Sequence, residues 1–144
     1  MDNRFQAYRQ IEVNTNNRGK IVVMLFSGAI TFLCKTKHCM EEKDYENKSK
    51  YLTKALNIID ELSISLDMQK GGEIAANLKS LYQFLVRYLH QANFENSIEK
   101  IDKTIQILER LKTGFDEILQ NPENLEAHSI NKMEQAQNCF KKII

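Results

Sequence analysis

A chain of 144 residues is the usual size of one domain and is long enough to bury a continuous core without disulfides or a structural metal. Its 42% apolar and 27% charged residues exclude disorder as the default state, and 20 Lys plus Arg against 19 Asp plus Glu leaves no large field of one sign to attract nucleic acid or anionic lipid. The longest apolar run, Ile21 to Phe26, is far short of the roughly 20 residues of a membrane span, and Met1-Asp2-Asn3-Arg4 lacks the apolar core of a signal peptide, so a cytoplasmic protein without membrane insertion is expected.

One proline and five glycines leave little punctuation, and the stretches between them repeat at helical period, so the chain reads as all α. The segment 1–17 has no sustained period but carries Phe5, Tyr8, Ile11 and Val13, which suits a leader that is either frayed or pinned against the domain by its aromatics. The first long helix is expected from about Arg18 to Glu42, with Asn17 as its N-cap and Val22, Leu25, Phe26, Ala29, Phe32 and Leu33 on one face.

Asp44 suits the N-cap of a second helix, whose Leu52, Ala55, Ile59, Leu62 and Leu66 step by three and four, the spacing of a bundle seam. That helix is expected to end at Asp67 or Met68. Gly71-Gly72 follows, where glycine supplies a positive φ, and Glu73 suits the positive end of the next helix dipole. The shortness of this turn makes helices two and three antiparallel neighbours.

Helix three, about Glu73 to Ala92, groups Ile74, Leu78, Leu81, Tyr82, Leu85, Tyr88 and Leu89, with Ala75, Phe84 and Val86 widening the arc to roughly 200° at 100° per residue. A helix apolar over so wide an arc faces more than one neighbour. Helix four starts near Ser97, a possible N-cap, and carries Ile98, Ile101, Ile105, Leu108, Leu111, Phe115 and Leu119 to the stop at Asn121-Pro122. Beyond it, Met133, Ala136, Phe140 and Ile143 mark an amphipathic helix in a polar tail. The organisation expected is thus 1–17 leader, 18–121 antiparallel up-down four-helix bundle, and 122–144 helical tail.

The polar residues do not assemble into a reaction centre. A di-iron bundle needs paired Glu-x-x-His motifs, and the sequence contains none. Cys34 and His38 are one helical turn apart, but two ligands leave a zinc site half built, and Cys39 points elsewhere. The three cysteines are an odd number in a chain that folds without them, which suits a reducing compartment. His90 and His128 have no nucleophile or carboxylate at an interpretable spacing. Gly71-Gly72 lacks the preceding strand and the lysine-serine ending of a phosphate loop. Glu41-Glu42 and Asp60-Glu61, beside Lys43 and Lys54, read as solubility charges. No cofactor, metal or catalytic residue is assigned.

What stands out is surplus apolar surface: Tyr51 and Ile58 beside the stripe of helix two, Phe84 at the edge of helix three, and Ile107 and Ile118 off the centre of helix four. Either the leader and tail cover these positions, or they line a groove that receives amphipathic helices of a partner.

The stretch Leu66-Asp67-Met68-Gln69-Lys70-Gly71-Gly72-Glu73-Ile74-Ala75-Ala76-Asn77-Leu78, followed by Ser80-Leu81-Tyr82, resembles the hallmark segment of the flagellin export chaperone family FliS. Ala7-Tyr8, Met24-Leu25-Phe26-Ser27-Gly28-Ala29-Ile30, Glu42-Lys43-Asp44 and Gln91-Ala92-Asn93 add to the likeness, which covers roughly residues 5 to 119. The resemblance implies a non-catalytic, cofactor-free bundle that binds the disordered C-terminal segment of flagellin, prevents its polymerisation in the cytoplasm and helps present it to the flagellar type III export gate. It also implies that a leader with two tyrosines lies over part of the client surface and moves aside. The matching positions here are Phe5, which lacks the first hydroxyl, and Tyr8. Asn16-Asn17-Arg18 replaces the Ser-Pro-Glu type of lead-in, and Phe115 stands near where many members carry tryptophan.

The client-contacting set expected from these readings is therefore Phe5, Tyr8, Tyr51, Ile58, Phe84 and Ile107, with Gly71, Gly72, Glu73 and Asn77 as the family-marking turn. The alternative is a bundle that adapts another secretion or regulatory protein.

Overall fold

The computed structural model describes the backbone of residues 3–120 and the side chains of residues 18–120. Four helices account for nearly all of it: α1 (Asn3–Glu41), α2 (Tyr45–Ile64), α3 (Gly72–Glu95) and α4 (Ile98–Gln120). Each packs on its two ring neighbours, α1 on α2 and α4, and α3 on α2 and α4. Adjacent helices are antiparallel: Phe32 of α1 stacks on Tyr51 of α2 while Gly28 faces Ile58, and Lys37 pairs with Asp102 of α4 while Gly19 lies under Leu119. The expected antiparallel four-helix bundle is what the chain forms.

The helix ends show why the breaks fall where they do. The Asp44 carboxylate accepts the Asn47 amide at 3.3 Å, and the Ser97 hydroxyl accepts the Lys100 amide at 3.2 Å, so two of the three expected N-caps are present. α3 ends on Asn96 at φ 53°, a left-handed position that asparagine tolerates better than most residues. Lys48 of α2, only 6% exposed, reaches across to this end and donates to the Asn93 carbonyl at 3.2 Å and the Asn96 side-chain oxygen at 2.6 Å. A cation at the negative end of a helix dipole, bonded to one of its last carbonyls and to its capping side chain, ties the start of α2 to the end of α3.

Two boundaries differ from expectation. α1 begins at Asn3 rather than Arg18, so Asn17 is an interior residue and not a cap. No glycine or proline interrupts residues 3–18, and once a helix is nucleated each added residue gains a hydrogen bond, so an aperiodic segment can still propagate it. α2 ends at Ile64, three or four residues before the expected stop, because Asp67 organises its own turn. The tail helix expected around Met133 to Ile143, and the stop at Pro122, lie outside the described residues.

The core runs the length of the bundle, from Leu62 and Leu78 at one end to Met40 and Ala92 at the other, with Phe26, Tyr82 and Phe115 forming an aromatic contact across α1, α3 and α4. Thr36 and Thr104 are fully buried, and each hydroxyl donates to the carbonyl four residues before it, so their burial leaves no polar atom unpaired. Arg18–Glu41, 24 residues, is by length and composition apolar enough to cross a bilayer, which the six-residue run Ile21 to Phe26 does not reveal. In the bundle this helix places Phe26, Ala29 and Leu33 in the core at 0% exposure.

Candidate functional site

The α2–α3 connection is built by Asp67. Its carboxylate accepts the amides of Gln69 and Lys70 at 3.1 and 3.0 Å, and its carbonyl accepts the Gly71 amide at 2.8 Å. These amide bonds, Lys70 first, hold the Asp67 carboxyl below its ordinary range against a smaller desolvation effect. The two glycines then serve different needs. A Cβ on Gly71 would stand 2.6 Å from the Ala75 Cβ and 2.7 Å from the Asp67 carbonyl, so nothing larger fits. Gly72 has open space around it but a φ of +51°, the conformation that side chains disfavour. Glu73 sits in the first turn of α3, as the helix dipole favours, and Asn77 is exposed one turn later.

Beside this turn lies an open cleft of about 620 Å³ between the Arg18–Val22 stretch of α1 and residues 64–69. Its apolar rim is unusually bare for a folded bundle: Ile21 is 54% exposed, Ile64 77% and Met68 44%. Met24, one turn along α1 from Ile21, is 70% exposed. A second groove, about 470 Å³, runs between α2 and α3 and is lined by Ile59, Ser63, Tyr82 and Val86, with Asp60 and Arg87 as charged residues of its wall. Burial pushes the Tyr82 hydroxyl far above its ordinary pKa, so it remains a neutral donor at any physiological pH.

The sequence-derived contact residues fall on different sides of the molecule. Tyr51 is half-buried on the α1/α2 seam, its ring stacked on Phe32 at 6.2 Å, with the ammonium groups of Lys35 and Lys54 over the pair. Ile58 shares that seam, packed against Gly28. Phe84 stacks on Tyr88 at 5.2 Å, and Lys100 of α4 covers Tyr88, which places Phe84 toward the α3/α4 seam. Phe5 and Tyr8 lie on the first turns of α1, where only the backbone is described.

Ile107 is a correction. It is 1% exposed and part of the core, so it is not a surface residue of the folded protein. α4 buries Ile101, Thr104, Ile105, Ile107, Leu108, Leu111 and Gly114, an arc of roughly 180° at 100° per residue, because α1 and α3 both pack on it. The small Gly114 shares the Ile107 edge of that arc, and Thr104 sits at its centre. Ile74 moves the other way: expected in the packed face of α3, it is 42% exposed in the first turn.

Ile21, Met24, Ile64 and Met68 were missed as a surface by sequence reasoning. The signal was present for Ile64, which sits about 140° from Ile59 on α2, away from the stripe of Leu52, Ala55, Ile59 and Leu62. Nothing in the one-dimensional pattern brings it beside Ile21, since that depends on how α1 packs on the α2–α3 turn.

Nothing in these clefts suits bond chemistry. Among the described residues no group of three or more His, Cys, Asp or Glu is placed to hold a metal ion. Cys34 is exposed, and Cys39 is buried with its thiol pKa raised by desolvation, the opposite of an activated nucleophile. The arrangement can offer apolar surface to a peptide, with lysine and arginine at its margins.

Residues 1–122 match the family model described as "Flagellar protein FliS". The "Flagellar secretion chaperone FliS" of Vibrio cholerae is 37% identical over 134 residues, 90% of this chain and 98% of that protein. The chaperone of the same name from Salmonella typhimurium is 36% identical over 118 residues, 78% of this chain and 87% of its own. That from Bacillus subtilis is 35% identical over 96 residues, 67% and 71% respectively.

Proposed function

The chain belongs to the FliS family of flagellar secretion chaperones, and from that premise we propose that it binds the disordered C-terminal segment of flagellin in the cytoplasm, keeps it from polymerising, and aids its delivery to the flagellar type III export gate. The observation that carries this reading is the combination of a complete core with bare apolar surface around the cleft beside the α2–α3 turn. Ile21, Met24, Ile64 and Met68 remain exposed although the bundle interior is filled without them.

Flagellin's end segments are amphipathic and unfolded before assembly, so a chaperone has to cover an apolar stripe over a long path. Tyr51 and Ile58 on the α1/α2 seam, the groove between α2 and α3, and Phe84 toward α4 are too widely separated for one compact ligand. They suit an extended client that crosses seam after seam. Folding on binding costs ordering entropy, so each unit of contact area yields less affinity, and release at the export gate needs no covalent step. The function is non-enzymatic on this reading and requires no cofactor.

In the same scheme Phe5 and Tyr8 compete with the client for one surface. The leader's helical continuation of α1 is then one of two positions it takes.

Co-expression with a C-terminal flagellin fragment, followed by size-exclusion chromatography, tests the client: co-elution is expected, and separate elution overturns it. Titration calorimetry on protein lacking residues 1–14 tests the competition, with tighter binding expected and weaker binding counting against a displaceable leader. The adaptor alternative gains ground if a pull-down from motile cells recovers another secretion protein and no flagellin.

A further inference from the structure

We propose that the cleft beside the glycine turn is the docking site of this chain's own C-terminal segment, residues 123–144, which seats Met133, Phe140 and Ile143 against Ile21, Ile64 and Met68. The cleft is apolar and open, about 620 Å³, and three of its wall residues are 44 to 77% exposed. Burying such side chains is favourable in proportion to the apolar area covered, so the surface has a standing demand for an apolar partner.

The position of the cleft favours this occupant. The described part of α4 reaches Gln120, with Leu119 lying over Gly19, next to Arg18 on the cleft wall, so the described residues stop at the end of the bundle where the cleft opens. Residues 121–132 separate that point from Met133. At about 3.3 Å per residue they reach up to roughly 40 Å, several times the 8 to 10 Å between packed helices, so the segment can pass around α1 to the α1/α2 side. Met133, Ala136, Phe140 and Ile143 recur at three, four and three residues, the spacing of one helix face, on a background rich in Asn, Gln, Glu and Lys. A tethered segment meets its site at an effective concentration of about a millimolar, so a stripe of this size suffices without high intrinsic affinity.

The leader is the less suitable occupant. It continues α1, which forms one wall of the cleft, and in that helical position it is not folded back across the wall. The inference does not depend on the identity of the client. If the client uses this cleft, the docked tail is in competition with it.

Cys139, beside Phe140, provides the test. In full-length protein carrying Cys34→Ser and Ile64→Cys, mild oxidation is expected to give an intramolecular disulfide to Cys139 at least about ten times faster than in the matching Ser49→Cys protein, whose new thiol sits on exposed α2 surface far from the cleft. Adding Phe140→Asp is expected to remove the difference. Equal rates at positions 64 and 49, or disulfides formed only between chains, overturn the proposal. As a second reading free of engineered thiols, Phe140→Asp alone is expected to shift the amide resonances of Ile64 and Met68. Unchanged resonances overturn it equally.

Discussion

The carbonyl oxygen of Asp67 accepts the Gly71 amide at 2.8 Å, and a Cβ on Gly71 would stand 2.7 Å from that same oxygen. The acceptor that makes the turn is therefore one of the two contacts that forbid a side chain in it, the Ala75 Cβ being the other. Gly71 is required for space and Gly72 for its φ of +51°, two independent reasons for adjacent glycines.

Gly71→Ala and Gly72→Val are each expected to destabilise the protein by about 1 to 3 kcal/mol, the first through overpacking and the second through backbone strain. Urea denaturation distinguishes the mechanisms when Gly72→Asn and Gly71→Asn are added. Asparagine tolerates the left-handed region, so it is expected to recover part of the loss at position 72 and none at position 71.

The depressed Asp67 carboxyl makes a pH prediction with a definite sign. Its folded pKa lies below the unfolded value of about 3.9, so its contribution is fully present above the unfolded pKa and is lost as pH falls through the folded one. Asp67→Ala is therefore expected to be less stable than the parent at pH 7, with the gap closing below about pH 4. A gap that stays constant from pH 7 to pH 2.5 rules out the carboxylate as its source.

Lys48→Met keeps the apolar stem but removes the donor to the Asn93 carbonyl and the Asn96 side-chain oxygen. The expected loss is about 1 to 3 kcal/mol, because the end of α3 is left short of a partner. Amide exchange read along α3 should accelerate first at Ala92 to Asn96.

The burial of Ile107 is checked by stability and not by binding. Ile107→Ala is expected to cost about 2 to 5 kcal/mol in denaturant unfolding, as core truncations do. Phe94→Ala, at a side chain 90% exposed, is expected to stay within about 0.5 kcal/mol of the parent.

Local chemistry wrote several features directly into the sequence. The period of three and four marks the helices, Asp44 and Ser97 cap them because a side-chain oxygen there satisfies a free amide, and Gly72 adopts the positive φ that its lack of a Cβ allows. The family-marking segment from Leu66 to Leu78 is likewise a local pattern, and the match over residues 1–122 agrees with it.

What tertiary structure decided is which apolar residues are inside. Periodicity gives the centre of a helix's buried face but not its width, because width depends on how many helices pack against it and from which side. So Ile107, off the centre of its stripe, is enclosed in the core, while Ile74, near the centre of its own, is left bare at a helix end. The pairing of Ile21 with Ile64 and Met68 across a cleft belongs to the same class of fact, since the residues that form it are more than forty positions apart and meet only when α1 closes on the α2–α3 turn.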